Sequence, residues 1–183
     1  MNSGIKDKIL FRKLEKKDKD AFVKAYDYYF DDIYRFVYFK VGEKETAEDL
    51  TSSVFLKTWD FILNNSISDY KTLRALFYKI ARTTIIDYYR KKSTQMEEAV
   101  DTFDYLDIKD EGQDLESKID TKMDYAQVIE KIGELKDEYR EILILRFVNE
   151  LSVSEIADIL EKEAGNVRVT IHRALNALKD LMK

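Results

Sequence analysis

The sequence predicts an all-α protein: two small helical domains joined by an acidic flexible linker, the C-terminal one containing a helix-turn-helix. Three observations predict it. The 183 residues include no proline and only five glycines, Gly4, Gly42, Gly112, Gly133 and Gly165, while 37% are charged; few residues here break a helix. Apolar residues recur at spacings of three and four in one segment after another, the repeat of an amphipathic helix. Between residues 94 and 121 that repeat gives way to an acid-rich tract, which holds too little apolar surface to fold alone.

In chain order, residues 1–19 are a charged, weakly patterned extension, read as a frayed start or a short amphipathic turn. The first domain spans 20–93. A helix from Asp20 carries Phe22, Tyr26, Tyr29, Ile33, Phe36 and Val37 as a core stripe and ends near Gly42, a C-cap. A second, from about Lys44 to Ile62, has Ala47, Leu50, Val54, Thr58 and Phe61 on one seam, widened by Phe55, Trp59 and Ile62. Its outer side shows Asp49, Ser52, Ser53 and Lys57, either a solvated face or a docking surface for another protein. Asn64 to Asp69 is a loop by composition. A third helix, from about Lys71 to Lys92, buries Leu73, Leu76, Phe77, Ile80, Thr84 and Tyr88. The remainder of its surface carries Lys71, Arg74, Tyr78, Lys79, Arg82, Arg90, Lys91 and Lys92. Cations that track phosphates, with a ring that can stack a base, suit single-stranded nucleic acid; a solvated helix face is the plainer alternative.

The linker, 94–121, is followed by the second domain, 122–183. A relaxed tether of that length spans about 30 Å and an extended one at most about 90 Å, so the domains could sit several DNA turns apart. Tyr125, Val128, Ile129, Ile132 and Leu135 share one helix; Tyr139, Ile142, Leu143, Leu145 and Val148 share the next, with Arg146 near its end. Ser152-Val153-Ser154-Glu155 fits a capping box, a hydroxyl at the N-cap and a carboxylate three residues on. The short helix it opens carries Ile156, Ala157, Ile159 and Leu160 and breaks around Glu161 to Gly165. The last helix aligns Val167, Ile171, Leu175, Leu178 and Met182, and its opposite face shows Asn166, Arg168, Thr170, His172 and Arg173. Donors and cations at the start of such a helix match the acceptors of base edges and phosphates.

The net charge of −5 conceals its distribution. Residues 1–93 hold 19 basic and 14 acidic side chains, 94–120 hold 2 and 10, and 165–183 hold four and one. Basic charge therefore lies on the helices that could present it to nucleic acid, and acid is gathered in the tether. No cysteine means no disulfide, thiolate metal site or cysteine nucleophile. No signal core or membrane-length apolar run is found, which fits a cytoplasmic protein with no membrane insertion. With one histidine, no Gly-rich phosphate loop and no carboxylate pair at a telling spacing, the chain is read as no enzyme. His172 has no second ligand spaced with it, so neither a metal nor a cofactor is expected.

Ala47-Glu48-Asp49-Leu50, Phe55-Leu56-Lys57-Thr58-Trp59 and Ile80-Ala81-Arg82 with Asp87 and Arg90 together resemble the first conserved domain of bacterial sigma factors. Leu151 to Ala157, Gly165-Asn166-Val167-Arg168 and His172-Arg173-Ala174 resemble their last domain. The two-domain layout is similar to the extracytoplasmic-function (ECF) subfamily. The resemblance implies a factor that binds core RNA polymerase, takes it to promoter DNA and helps open the duplex. It implies polymerase docking through Asp49, Ser52, Ser53, Leu56 and Lys57. The minus-ten element would be met by Asn65, Lys71, Arg74, Tyr78, Lys79, Arg82, Thr83 and Arg90. The minus-thirty-five element would be read by Asn166, Arg168, Thr170, His172 and Arg173, with Arg146 on phosphate. An anti-sigma factor would be a further partner, as is usual in the family. Five positions depart from the family pattern: Ser52-Ser53 for Gln-Glu, Leu76 for tryptophan, Thr83 for asparagine, and Glu161 for a turn glycine, where the turn should be strained or shifted. The alternative is a stand-alone helix-turn-helix regulator that never touches polymerase; it explains 152–182 equally well but gives no reason for the basic helix or the tether.

Overall fold

A computed structural model of the chain describes residues 3–67, 71–98, 128 and 130–183. Every element among them is helical. The first, α1 (Ser3–Glu15), is a helix of 13 residues, longer than the frayed start or short amphipathic turn expected there. Phe11 and Leu14 are buried: three residues apart, they share the side of the helix that packs on α2 (Lys19–Val41). Lys17, in the left-handed region at φ 59°, turns the chain, and Asp18 caps α2 by accepting the Ala21 N–H at 3.1 Å. Gly42 ends α2 as expected: at φ 76° its N–H reaches the Tyr38 carbonyl at 2.8 Å.

Helix α3 (Lys44–Asn64) and helix α4 (Lys71–Glu98) complete the first domain. Helix α4 runs past Lys92 and takes up the first five residues assigned to the linker; the rest of that linker, 99–121, lies outside the described residues. The core is aromatic. Phe77 lies 5.0 Å from both Tyr29 and Phe55, ring centre to ring centre, and Phe36 meets Tyr78 edge-on at 5.3 Å. Two seam residues lie outside it: Tyr26 (37% exposed) and Phe61 (38%) sit at the rim, though Tyr26 still packs on Phe55 at 4.6 Å.

The second domain comprises a short helix at 130–134 (α5), α6 (Asp137–Leu143), a π-helical turn Ile144–Val148, α7 (Val153–Leu160) and α8 (Ala164–Leu181). Tyr125 and Ile129 lie outside the described residues. Ile142 to Leu145 are buried on all sides, since this segment lies between α8, α7 and α2. The capping box is present: the Ser152 hydroxyl accepts the Glu155 N–H at 3.2 Å, and Glu155 accepts the Ser152 N–H at 2.8 Å. On α8 the inward stripe is Val167, Ile171, Ala174 and Leu178, at spacings of three and four, with Val167 and Ala174 buried and the other two half-buried. Leu175 (41% exposed) and Met182 (51%) lie off it, one because Ala174 takes the inward position, the other because the helix has passed the end of the core.

The two domains are packed together. Helix α7 lies against α4, and the π turn against α2.

Candidate nucleic-acid interface

The two basic surfaces differ in their surroundings. On α8, burial of Val167 and Ala174 turns Asn166, Arg168, His172 and Arg173 outward, and all four are exposed. Arg168 and Arg173 have no ion-pair partner among the described residues. Thr170 is half-buried, and its hydroxyl donates to the Asn166 carbonyl at 2.9 Å. His172 Nδ1 and Asn176 Nδ2 lie 3.3 Å apart. This face therefore offers two unpaired guanidiniums, an amide and an imidazole from one rigid helix. Arg146 stands apart from them: half-buried, it donates to the Leu151 carbonyl at 2.7 Å, so it braces the turn before α7.

The turn into α8 keeps a left-handed residue without a glycine. Glu161 sits at φ 54°, ψ 43°, and its N–H bonds the Ala157 carbonyl. The turn is strained, not shifted, since a side chain in that region costs about 1 kcal/mol.

On α4 the cations are engaged. Arg74 donates to Asp32 at 2.8 Å and to Glu155 at 3.1 Å. Lys79 meets Glu161 at 2.8 Å. Arg82 forks onto Glu141, Nε to Oε1 at 2.9 Å and Nη2 to Oε2 at 3.2 Å, and Glu141 is 8% exposed. Two more bonds cross the same junction: buried Lys40 with Asp137, and the Asn149 amide donating to the Asp32 carbonyl at 2.8 Å. Burial alone would raise the Glu155 carboxyl, but the Ser152 hydroxyl and N–H, then Arg74, outweigh it and hold it below its ordinary range. Lys79 does the same for the exposed Glu161.

Tyr78, expected on this surface as a stacking ring, is fully buried. It packs on Phe36, and burial, reinforced by Asp32, pushes its hydroxyl above the ordinary tyrosine range. The helical repeat placed it near the boundary of the buried stripe, and α4 is covered on more than one side, by α2, α3 and α7. Thr83 is exposed, with its hydroxyl donating to the Ile80 carbonyl at 3.0 Å. Arg90 is exposed beside Asp87 at 3.4 Å. Asn65 is exposed at the end of α3, its amide donating to the Phe61 carbonyl at 2.9 Å. Lys71 opens α4.

Asp49, Ser52, Leu56 and Lys57 are exposed on α3, with Ser53 half-buried beside them. Leu56 is 71% exposed, a large apolar side chain in open solvent. Lys57 leans towards α4, donating to the Thr84 hydroxyl at 3.2 Å. The residues that sequence reasoning missed are the acidic partners Asp32, Glu141 and Asp137. Each reads locally as a surface carboxylate, and no spacing ties them to α4 or Lys40. Among the described residues, no helix is long and apolar enough to cross a membrane.

Comparison with known proteins matches both halves. Residues 25–95 fit the Sigma-70 region 2 family and residues 125–178 fit Sigma-70, region 4. The chain is 30% identical to the ECF RNA polymerase sigma factor SigW of Bacillus subtilis, covering 100% of this chain and 99% of that one. It is also 30% identical to ECF RNA polymerase sigma factor BldN of Streptomyces coelicolor, over 94% of this chain but 64% of the longer relative. Its fold is similar to CnrH in complex with the cytosolic domain of CnrY (TM-score 0.70, 18% identity, 96% of each chain). It is also similar to the Bartonella quintana sigma factor RpoE in complex with the anti-sigma factor NepR (TM-score 0.65, 20% identity, 88% of this chain and 96% of that one). With its two segments matching region 2 and region 4, and a 30% identical ECF sigma factor aligned over 99% of its length, the chain belongs to the sigma-70 family, as a sigma factor of the ECF type.

Proposed function

We propose that this chain binds core RNA polymerase, directs it to specific promoters and helps open the DNA for transcription initiation, acting in the cytoplasm without enzymatic activity of its own. The observation that carries this reading is the presence, in order, of both family segments, each with a polar face left on a separate helix. Asp49, Ser52, Ser53, Leu56 and Lys57 form the polymerase-docking face. Exposed Leu56 supplies apolar area there, and the serines in place of the family's Gln-Glu make that contact lean more heavily on it. Asn166, Arg168, His172 and Arg173 read the minus-thirty-five element in the major groove. Thr170 adds its methyl to that face, because its hydroxyl is already committed to the helix backbone. Arg146 acts one step back, holding the turn that aims α8.

Asn65, Lys71, Arg74, Lys79, Arg82, Thr83 and Arg90 meet the minus-ten element, with Tyr78 as the packing residue beneath them. An anti-sigma factor is the further partner this family layout accommodates. A regulator acting through the helix-turn-helix alone would leave the α3 face and the α4 cations without a task. Run-off transcription with purified core polymerase on promoter-bearing fragments tests the proposal. Specific transcripts that need this protein support it. Duplex binding without any stimulation of core enzyme would return the chain to the class of stand-alone regulators.

A further inference from the structure

We infer that Val169, beside the gap left by Gly165, is a specificity-determining contact of α8: its methyl groups meet the C5-methyl of one thymine in the major groove of the minus-thirty-five element. The inference rests on the minus-thirty-five role proposed for α8 and adds a base that the helix selects by apolar contact. Val169 is 49% exposed. At about 3.6 residues per turn, it lies nearly opposite the buried Val167 and Ala174, in the middle of the outward face. Its neighbours on that face, three and four residues to either side, are Gly165, Asn166, His172 and Arg173, all exposed. Val169 is therefore an apolar group ringed by polar side chains and one gap. Thymine shows the matching mixture on its major-groove edge, a methyl beside an acceptor oxygen.

Neither Val169 nor Gly165 serves the helix. A β-branched residue and a glycine both lower helix propensity, and on an open face no packing compensates. The backbone does not require Gly165: among the described glycines only Gly42 has a positive φ. Packing does not require it either, because a Cβ placed there would have no neighbour within 4 Å. What the glycine does is leave room. Helical side chains lean towards the N-terminus, so Val169 reaches over the turn that holds Gly165. A side chain at 165 would cover one flank of the valine; with none there, its methyls stay open to a group of their own size. Arg168 and Arg173 have no ion-pair partner among the described residues. They can hold phosphate or guanine alongside and so fix the register in which a thymine methyl meets that gap.

Deoxyuridine gives the test, since it differs from thymidine only by that methyl. The full-length protein is bound with core polymerase to a promoter duplex that supports its run-off transcription. Each thymine of the minus-thirty-five element, on either strand, is replaced in turn by deoxyuridine. At one position the native protein should bind about fourfold more weakly, the worth of one buried methyl. Val169→Ala, which favours the helix, should bind the thymine and deoxyuridine duplexes alike. Gly165→Ala should unfold no earlier than the native protein, yet its own methyl fills the gap, so it should bind the thymine duplex more weakly and narrow the difference. Discrimination that survives Val169→Ala, or is undiminished in Gly165→Ala, would overturn the inference. So would a native protein indifferent to every replacement while scrambling the element still abolishes binding; the minus-thirty-five role of α8 would then stand without this contact. Binding unchanged by scrambling would instead overturn that role, and the inference with it.

Discussion

Helices α4 and α8 carry comparable polar faces, yet they present them differently. On α8 the guanidiniums of Arg168 and Arg173 have no ion-pair partner among the described residues, whereas on α4 the cations at 74, 79 and 82 are each held by a carboxylate of the other domain. The difference teaches that a basic stripe in a sequence does not reveal whether its charge is available. Availability depends on what the chain folds back against it.

Removing Arg82 should have the largest effect on folding. Arg82→Ala strands the Glu141 carboxylate, which is 8% exposed, and should cost about 2 kcal/mol of stability in denaturant unfolding, less than a fully buried pair because Arg82 is partly solvated. It should also impair strand opening more than duplex binding; equal losses in the two assays would remove it from the single-strand site. The contrasting change on α8, Arg168→Ala, should leave unfolding unaltered and weaken promoter duplex binding by about 1–3 kcal/mol if the side chain grips a guanine. A loss of the same size on every sequence would assign it to phosphate instead.

Ser152→Ala should cost about 1 kcal/mol by uncapping α7, and should shrink the acid sensitivity of the fold. Glu155 is held below its ordinary range chiefly by Ser152 against the cost of burial. Its contribution is therefore complete above the ordinary carboxylate range and is lost as pH falls through the depressed value. Unfolding midpoints followed down through the acid range, in both proteins, check the sign. The smallest effect is expected at Glu161→Gly. It relieves a left-handed side chain, a gain of about 0.5–1 kcal/mol offset in part by greater unfolded-state freedom, while deleting the Lys79 contact. The second domain should melt no earlier, yet the domain junction should loosen; an unchanged junction would show that the Lys79–Glu161 pair does little.

Much of this was legible from residues alone. Gly42, the Ser152 capping box and the outward set on α8 follow from short spacings, because caps and helical stripes are decided within a few residues. Tyr78 and Leu175 were misplaced because a helix covered on several sides, or one whose inward position is taken by a small residue such as Ala174, departs from a single apolar stripe. The helicity of 3–15 and of 93–98 was missed because charge-rich segments carry a weak period even where they are helical.

The sequence by itself determined an all-helical chain, two bodies with an acidic tract between them, and the membership that their motifs announce. Only the tertiary structure decided which cations stand open and which are covered. The partners of Arg74, Lys79 and Arg82 lie 81, 82 and 59 residues away. A helix is written in a local repeat that can be read residue by residue, but attraction between distant charges has no period. It exists only once packing has brought them within reach.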